Sequence, residues 1–290
     1  MPGVSVPPVV RLLADPVRWR LMRELGSGDR RVRELVAAVG QPQNLVSYHL
    51  RQLRLGGLVS ARRSSFDGRD TYYSLDLDGC AKALAGAAVA LHPGLALVSA
   101  ALGQSAVSGE SAESGGSAAA AQLAGSAQPT VPGQSAMSGA ARVLFVCTGN
   151  SSRSPMAEGL LRYRAGARVA GPRVAAASAG IRPKPVHPHA VAVMRDRYGV
   201  DISGHRPVPV EAAARERFDY VVSLCDKARE ACPEFAGRPG LIHWSLPDPA
   251  AAEGGLAGYP AFERTAADLD ARIGFLLPVL DQAANSIKSD

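Results

Sequence analysis

The sequence predicts two domains of unlike class on one chain: an N-terminal winged helix-turn-helix, mainly α with a β-hairpin wing, and a C-terminal three-layer α/β domain built on a parallel sheet. Three observations predict it. The 290 residues exceed the usual size of a single core. The stretch from Ala101 to Gly139 is almost wholly Ala, Ser, Gly and Gln with a few Pro, and holds no Lys, Arg or aromatic residue. The apolar rhythm differs on its two sides, helical spacing closed by a hairpin before it and strand alternating with helix after it.

In the N-terminal part, Asp15-Pro16 is a cap followed by a first-turn proline, Val17, Leu21 and Leu25 keep helical spacing, and Gly26 ends the helix. Val32, Leu35, Val36 and Val39 repeat the pattern up to Gly40. A third helix opens at Pro42 and runs through Leu45, Val46, Leu50 and Leu53 to Gly56-Gly57. Two strand-like runs around an Asp67-Gly68 turn complete the wing. This domain is assigned to residues 1–100, and 101–140 to a flexible tether, because such a composition cannot bury enough to fold. Residues 141–290 form the second domain. There ARVLFVC is a buried-strand run that enters a polar loop and then a helix with Pro155 in its first turn; RVAAAS, DYVVSL and LIHW are further short strands. In such a sheet, sites lie at the carboxyl ends of strands.

Charge and cysteine content narrow the function classes. The formal net charge is +6, of which residues 1–100 contribute +5 (13 Lys+Arg against 8 Asp+Glu), 101–140 contribute −2 and the remainder +3. The basic excess is densest where a polyanionic partner is expected. Four cysteines, at 80, 147, 225 and 232, are too few for a disulfide framework and read as thiols of a reducing compartment. Met1 to Val10 lacks the pattern of a signal peptide, and the apolar stretch Ala81 to Leu102 is interrupted by Lys82 and His92-Pro93, so no membrane span and a cytoplasmic location are expected.

In a helix-turn-helix the second helix enters the major groove with its N-terminal residues facing base edges. Here these are Gln43, Asn44, Ser47 and His49, with Arg51 further along and Arg62, Arg63 and Arg69 on the wing for phosphate or minor-groove contacts. PQNLVSYHLRQLRLGGLV with its following wing resembles the ArsR-type family of winged-helix repressors. The resemblance implies a homodimer on double-stranded operator DNA, released by a metal or metalloid. The family's frequent Cys-x-Cys sensor has no match in RRVRELVAAVG, and Cys80 reads as a core thiol.

The sharpest motif is Cys147-Thr148-Gly149-Asn150-Ser151-Ser152-Arg153-Ser154-Pro155, a cysteine and an arginine six positions apart between strand and helix. Such a loop turns backbone N–H groups inward, the next helix adds its positive end, and Arg153 offers a planar fork, so a tetrahedral oxyanion can be held. The same field favours the thiolate of Cys147, which Ser154 can assist. The string resembles the low-molecular-weight tyrosine phosphatase loop, shared with the thioredoxin-coupled arsenate reductases. LCDKAREACP, with Cys225 and Cys232 seven residues apart, resembles the reductases and has no use in a phosphatase. The resemblance implies that Cys147 attacks arsenate, that Cys225 attacks Cys147 and expels arsenite, and that Cys232 closes a Cys225–Cys232 disulfide for an external dithiol reductant such as thioredoxin, with no bound cofactor. Asp248 matches the family's general-acid position.

Two departures are visible: Ser152 stands where many relatives have cysteine, and Ala250 follows Asp248-Pro249 where the phosphatases place a tyrosine in an acidic segment. His187 and His189 lack a third ligand and are expected to be solvated loop residues, so no metal site is assigned. The resulting expectation is a bifunctional arsenic-resistance protein. The alternatives are a tyrosine phosphatase and a regulator whose second domain binds oxyanion or is oxidised without turnover.

Overall fold

The computed structural model describes residues 6–95, 141–167, 174–237, 239–251 and 258–287, so the assigned tether lies outside the described residues. The N-terminal unit runs α1 (Pro8–Leu13), α2 (Pro16–Gly26), β1 (Arg30–Arg31), α3 (Val32–Val39), α4 (Gln43–Leu55), β2 (Val59–Arg63), β3 (Thr71–Leu75) and α5 (Leu77–Leu91). The signals read from the sequence work locally as expected. The Asp15 carboxylate accepts from the Val17 and Arg18 N–H groups (2.9 and 3.0 Å), satisfying two of the free donors at the start of α2. Glu34 accepts from the Arg31 N–H (2.8 Å) to open α3, and Gly40 ends it with φ +66°. Leu21, Leu25, Leu35, Val39, Val46, Leu50, Leu53 and Leu58 close the core. β3 pairs antiparallel with both β1 and β2, which makes the wing.

Two helices of this unit were not anticipated. α5 occupies the Ala-rich stretch, capped by Asp76, and packs against α1; Val10, Leu84, Val89 and Leu91 remain exposed on the pair. Neither has a long apolar stripe, which is why periodicity alone did not mark them.

The C-terminal unit runs β4 (Ala141–Cys147), α6 (Arg153–Gly166), β5 (Val174–Gly180), α7 (Pro188–Tyr198), α8 (Val210–Ala213), β6 (Tyr220–Ser223), α9 (Asp226–Ala231), β7 (Gly240–His243) and α10 (Tyr259–Ile287). Its four strands are all parallel in the order β5-β4-β6-β7, with Cys147 beside Gly180 and Val146 beside Ser223. Val143 to Val146 are fully buried, as a strand flanked on both edges and packed against α6 and α9 requires. The carboxyl ends of β4, β6 and β7 therefore deliver Cys147, Cys225 and the His243–Asp248 segment to one end of the sheet. No helix among the described residues is long and apolar enough to cross a membrane.

Candidate active site and nucleic-acid face

The loop from Cys147 to Arg153 is shaped by the segment beside it. The carbonyls of Cys147, Thr148, Gly149 and Ser151 accept from the N–H groups of Ile181, Arg182, Lys184 and His187 at 3.2, 2.8, 2.8 and 2.8 Å. A trans peptide points its N–H opposite to its C=O, so the amides of Thr148, Gly149, Asn150 and Ser152 face the other way, into the cradle. Gly180 is needed at this crossing: a Cβ there would lie 2.7 Å from the Asn150 nitrogen.

Asn150 fixes the turn. Its φ of +45° is left-handed, a conformation that asparagine tolerates better than most residues. Its Oδ1 accepts from the Val208 N–H (2.8 Å) and faces His205 Nε2 (3.2 Å), while Nδ2 donates to Ser154 and Ser178 (3.0 and 2.9 Å). Of Asn150, only the backbone amide is left for an oxyanion. Ser178 passes its own proton to Glu158 (2.6 Å). The Ser154 hydroxyl accepts from Asn150, and its single proton has two acceptors in reach, Cys147 Sγ at 3.0 Å and the Ala179 carbonyl at 3.4 Å. The expected assistance by Ser154 has a geometry, and the supporting residues Ser178, Glu158, His205 and Val208 were not found by sequence reading. The Gly-Asn dipeptide inside the loop was the one available signal.

Arg153 is 4% exposed. One terminal nitrogen donates to the Leu246 carbonyl (3.1 Å), another lies 3.4 Å from Asp248 Oδ2, and Nε is buried without a partner, a donor suited to an oxyanion. Asp248 is half-exposed. Ser152 is buried and Thr148, Gly149 and Ser151 are partly buried.

Thr148 links the loop to the second cysteine, its Oγ1 lying 3.2 Å from Cys225 Sγ. Cys225 caps α9, with Sγ accepting from the Ala228 N–H (3.4 Å), and Cys232 stands at the other end of that helix. Burial pushes the Cys225 thiol up, against the opposing pull of Arg153, Thr148 and Ala228. Burial pushes the Cys232 thiol up to about 12. All four cysteines are free thiols; Cys80 packs on the N-terminal core, where burial pushes it up to about 11.

On α4, Gln43, Asn44, Ser47 and Arg51 are exposed on one face, and Arg63 and Arg69 are exposed on the wing. His49 is corrected: it is 6% exposed and turned inward toward Asp15, 3.8 Å away, so it cannot reach a base edge. Tyr48 holds the exposed place instead. The reason is helical phase, since His49 follows Val46 by three and precedes Leu53 by four on the buried stripe. Arg62 is also not free, because it is bonded to Asp226 and Ser245 of the other unit. His187 and His189 are partly buried rather than solvated, at 4.5 and 5.6 Å from the Phe262 ring. No group of three or more His, Cys, Asp or Glu among the described residues is arranged to hold a metal ion.

Comparison with known proteins agrees with this division. The family model "Low molecular weight phosphotyrosine protein phosphatase" matches residues 142–286, and "Bacterial regulatory protein, arsR family" matches residues 15–61. An arsenate reductase of Halalkalibacterium halodurans is 38% identical over 112 residues, 39% of this chain and 76% of that protein. A glutaredoxin arsenate reductase of Synechocystis is 36% identical over 108 residues, 37% of this chain and 78% of that protein. The crystal structure of a low molecular weight protein tyrosine phosphatase from T. tengcongensis is 28% identical, covers 48% of this chain and 99% of its own, and superposes with a TM-score of 0.41. With half its length matched, this chain belongs to the low molecular weight phosphotyrosine protein phosphatase family, and it carries an arsR-family segment ahead of that domain.

Proposed function

We propose that this is a bifunctional arsenic-resistance protein: a reductase of arsenate to arsenite in residues 141–290, tethered by 101–140 to an ArsR-type DNA-binding domain in 1–100. The observation that carries the reading is the pair of extra thiols. A hydrolase needs only Cys147, Arg153 and an acid, whereas Cys225, bonded to Thr148 beside the nucleophile, with Cys232 across a short helix, equips the site to move two electrons. The similarity to arsenate reductases supports the same choice.

Oxyanion binding falls to the amides of Thr148, Gly149, Asn150, Ser151, Ser152 and Ser154 and to the Arg153 fork. Cys147, as thiolate assisted by Ser154, attacks arsenic, and Asp248 protonates the leaving oxygen, which departs as water. Cys225 attacks the Cys147 sulfur, and the electron pair of the S–As bond stays on arsenic, releasing arsenite. Cys232 then attacks Cys225 and frees Cys147. The sum is arsenate plus two thiols giving arsenite, a disulfide and water. A thioredoxin-like dithiol protein then reduces the Cys225–Cys232 disulfide.

For the regulatory half, Gln43, Asn44, Ser47 and Arg51 would meet operator DNA in the major groove, with Arg63 and Arg69 on phosphates. The exposed apolar residues of α1 and α5 favour a homodimer through this domain. A cytoplasmic location fits a chain that works through reduced thiols. The deciding experiment measures arsenate consumption by the purified chain. Turnover should require a dithiol reductant and stop in Cys225→Ser; robust aryl-phosphate hydrolysis by that variant, without arsenate reduction by the native chain, would mark a phosphatase.

A further inference from the structure

The two domains meet along a polar seam that the reductase reading does not use. The Asp29 N–H donates to the His243 carbonyl (2.7 Å), and its carboxylate accepts from the Ser245 N–H (2.7 Å) and from Arg272 (3.1 Å). From the wing, Arg62 donates to the Ser245 carbonyl (2.7 Å) and reaches the Asp226 carboxylate (3.2 Å), where the Ser65 N–H (2.7 Å) and hydroxyl (3.0 Å) also arrive. Arg31 pairs with Glu230, and Glu34 with Arg229. Tyr72 packs on His243, ring centroids 4.8 Å apart.

Asp226 is the centre of the seam. It is fully buried; burial alone would raise its pKa, but the bonds from His243, Ser245 and Ser65 and the charge of Arg62 hold it far below the usual carboxylate range. His243 and Ser245 are partners from its own domain, whereas Arg62 and Ser65 come from the wing, so undocking strips the carboxylate of its only cationic partner and of two further bonds.

The helix held this way is the one between the two relay thiols. Asp226, Arg229 and Glu230, three of the six residues of α9, are bonded to the N-terminal domain. Cys225 and Cys232 cap opposite ends of α9. Seven residues of helix rise about 10 Å, whereas a disulfide requires Cα atoms no more than about 6.8 Å apart. Closing the bond uncoils α9. With Cys225 anchored at the end of β6 beside Thr148, the part that moves carries Arg229 and Glu230.

We propose that the wing and α3 of the DNA-binding domain latch the relay helix: the docked arrangement holds the dithiol form, and closing the Cys225–Cys232 disulfide undocks the domains and frees Arg62 for duplex DNA. The inference rests on the relay assigned above. In the closing step the Cys232 thiolate attacks the Cys225 sulfur of the Cys147–Cys225 disulfide and the Cys147 thiolate leaves with the electron pair. The two-electron oxidation has already taken place, when arsenate became arsenite. Arg62 is a positioning residue for this relay. By linkage, a ligand that takes the undocked wing favours the disulfide by the same factor by which the disulfide favours that ligand.

The test uses the full chain carrying Cys147→Ser, equilibrated with mixtures of reduced and oxidised dithiothreitol and read by mass spectrometry, so that no arsenate turnover is needed. Adding Arg62→Ala is expected to shift the equilibrium about tenfold toward the Cys225–Cys232 disulfide, about 30 mV for a two-electron couple, with Arg62→Lys in between. Hydrogen exchange on the chain with Arg62 intact needs no interface variant: residues 59–75 should exchange faster in the disulfide form. An unchanged equilibrium together with equal exchange in both redox states overturns the latch and leaves the reductase reading standing. If no Cys225–Cys232 disulfide forms at any ratio, the relay and the latch both fall. A shifted equilibrium, with the chain that retains Cys147 inert to arsenate, keeps the latch and removes the reductase.

Discussion

The Cys147 loop, proposed to hold an oxyanion, and helix α4, proposed to meet DNA, are built in opposite ways. Around Cys147 the carbonyls, Asn150, Ser154 and Ser178 are all bonded within the protein, and the cradle is rigid before any ligand arrives. On α4 the side chains of Gln43, Asn44, Ser47 and Arg51 stand in solvent. The first site spends its hydrogen bonds on shape and leaves a few amides and Arg153 for one small ion. The second leaves its donors and acceptors open for a long surface. A substitution at the first should therefore cost both fold and chemistry, and one at the second only affinity.

Changes at the nucleophile test the preorganised side of that contrast most severely. Cys147→Ser should lower arsenate turnover by roughly 10⁴-fold or more, since removing a group that acts as part of a unit removes most of the catalysis; steady-state kinetics with a dithiol reductant would read it. Arg153→Lys keeps the charge and loses the planar fork, and kcat/KM should fall by about 10²–10³-fold. A fall of less than fivefold would mean the loop amides alone define the cradle.

Asn150→Ala leaves the Val208 N–H and the Ser178 and Ser154 hydroxyls short of partners and keeps a left-handed backbone at a non-glycine residue. It should cost about 2–4 kcal/mol of stability, measurable by denaturant unfolding. An unchanged midpoint would deny that the loop is held by that side chain.

The elevated Cys232 thiol gives a pH dependence. A raised pKa leaves little thiolate at neutral pH, and the thiolate fraction grows about tenfold per unit as pH rises toward about 12. Alkylation of Cys232 by iodoacetamide, followed by mass spectrometry, should climb steeply from pH 7 to 10. A profile that climbs and then levels off near about pH 9 would show that Cys232 reacts from an uncoiled α9 with an ordinary thiol.

The smallest effects belong to the open site. Gln43→Ala should cost about 1–3 kcal/mol in operator affinity and relax the preference at one base pair. Arg69→Ala should weaken binding evenly across sequences and reduce the salt slope by about one. Stability loss in either would contradict the exposed placement of both side chains.

How much of this was legible in the residues differs between the same two regions. The order of elements in the C-terminal domain, the cysteine and arginine of the loop and the Cys225/Cys232 spacing were all readable, because local sequence sets strand, turn and cap. In the N-terminal domain the caps at Asp15 and Gly40 and the Asp67-Gly68 wing were readable for the same reason. His49 as a base contact follows the motif alone, whereas the helical phase set by Val46, Leu50 and Leu53 puts it on the buried stripe. α1 and α5 carry no polar-apolar stripe, α1 because it is a six-residue helix and α5 because it is Ala-rich all round, so periodicity does not mark them and their mutual packing completes them.

The sequence by itself determined the two domain classes, the Cys147–Arg153 loop motif and the Cys225/Cys232 pair, since each is carried by residues close together in the chain. Tertiary structure decided what those groups do to one another. It set Thr148 between Cys147 and Cys225, ran the hydrogen-bond chain from Glu158 through Ser178 and Asn150 to Ser154, and laid Arg62 of the wing on Asp226 of the relay helix. These pairs lie up to 164 positions apart, and no local propensity encodes them. At Asp226, Arg62 and Ser65 from the wing add to His243 and Ser245 of its own domain the partners that a buried carboxylate requires.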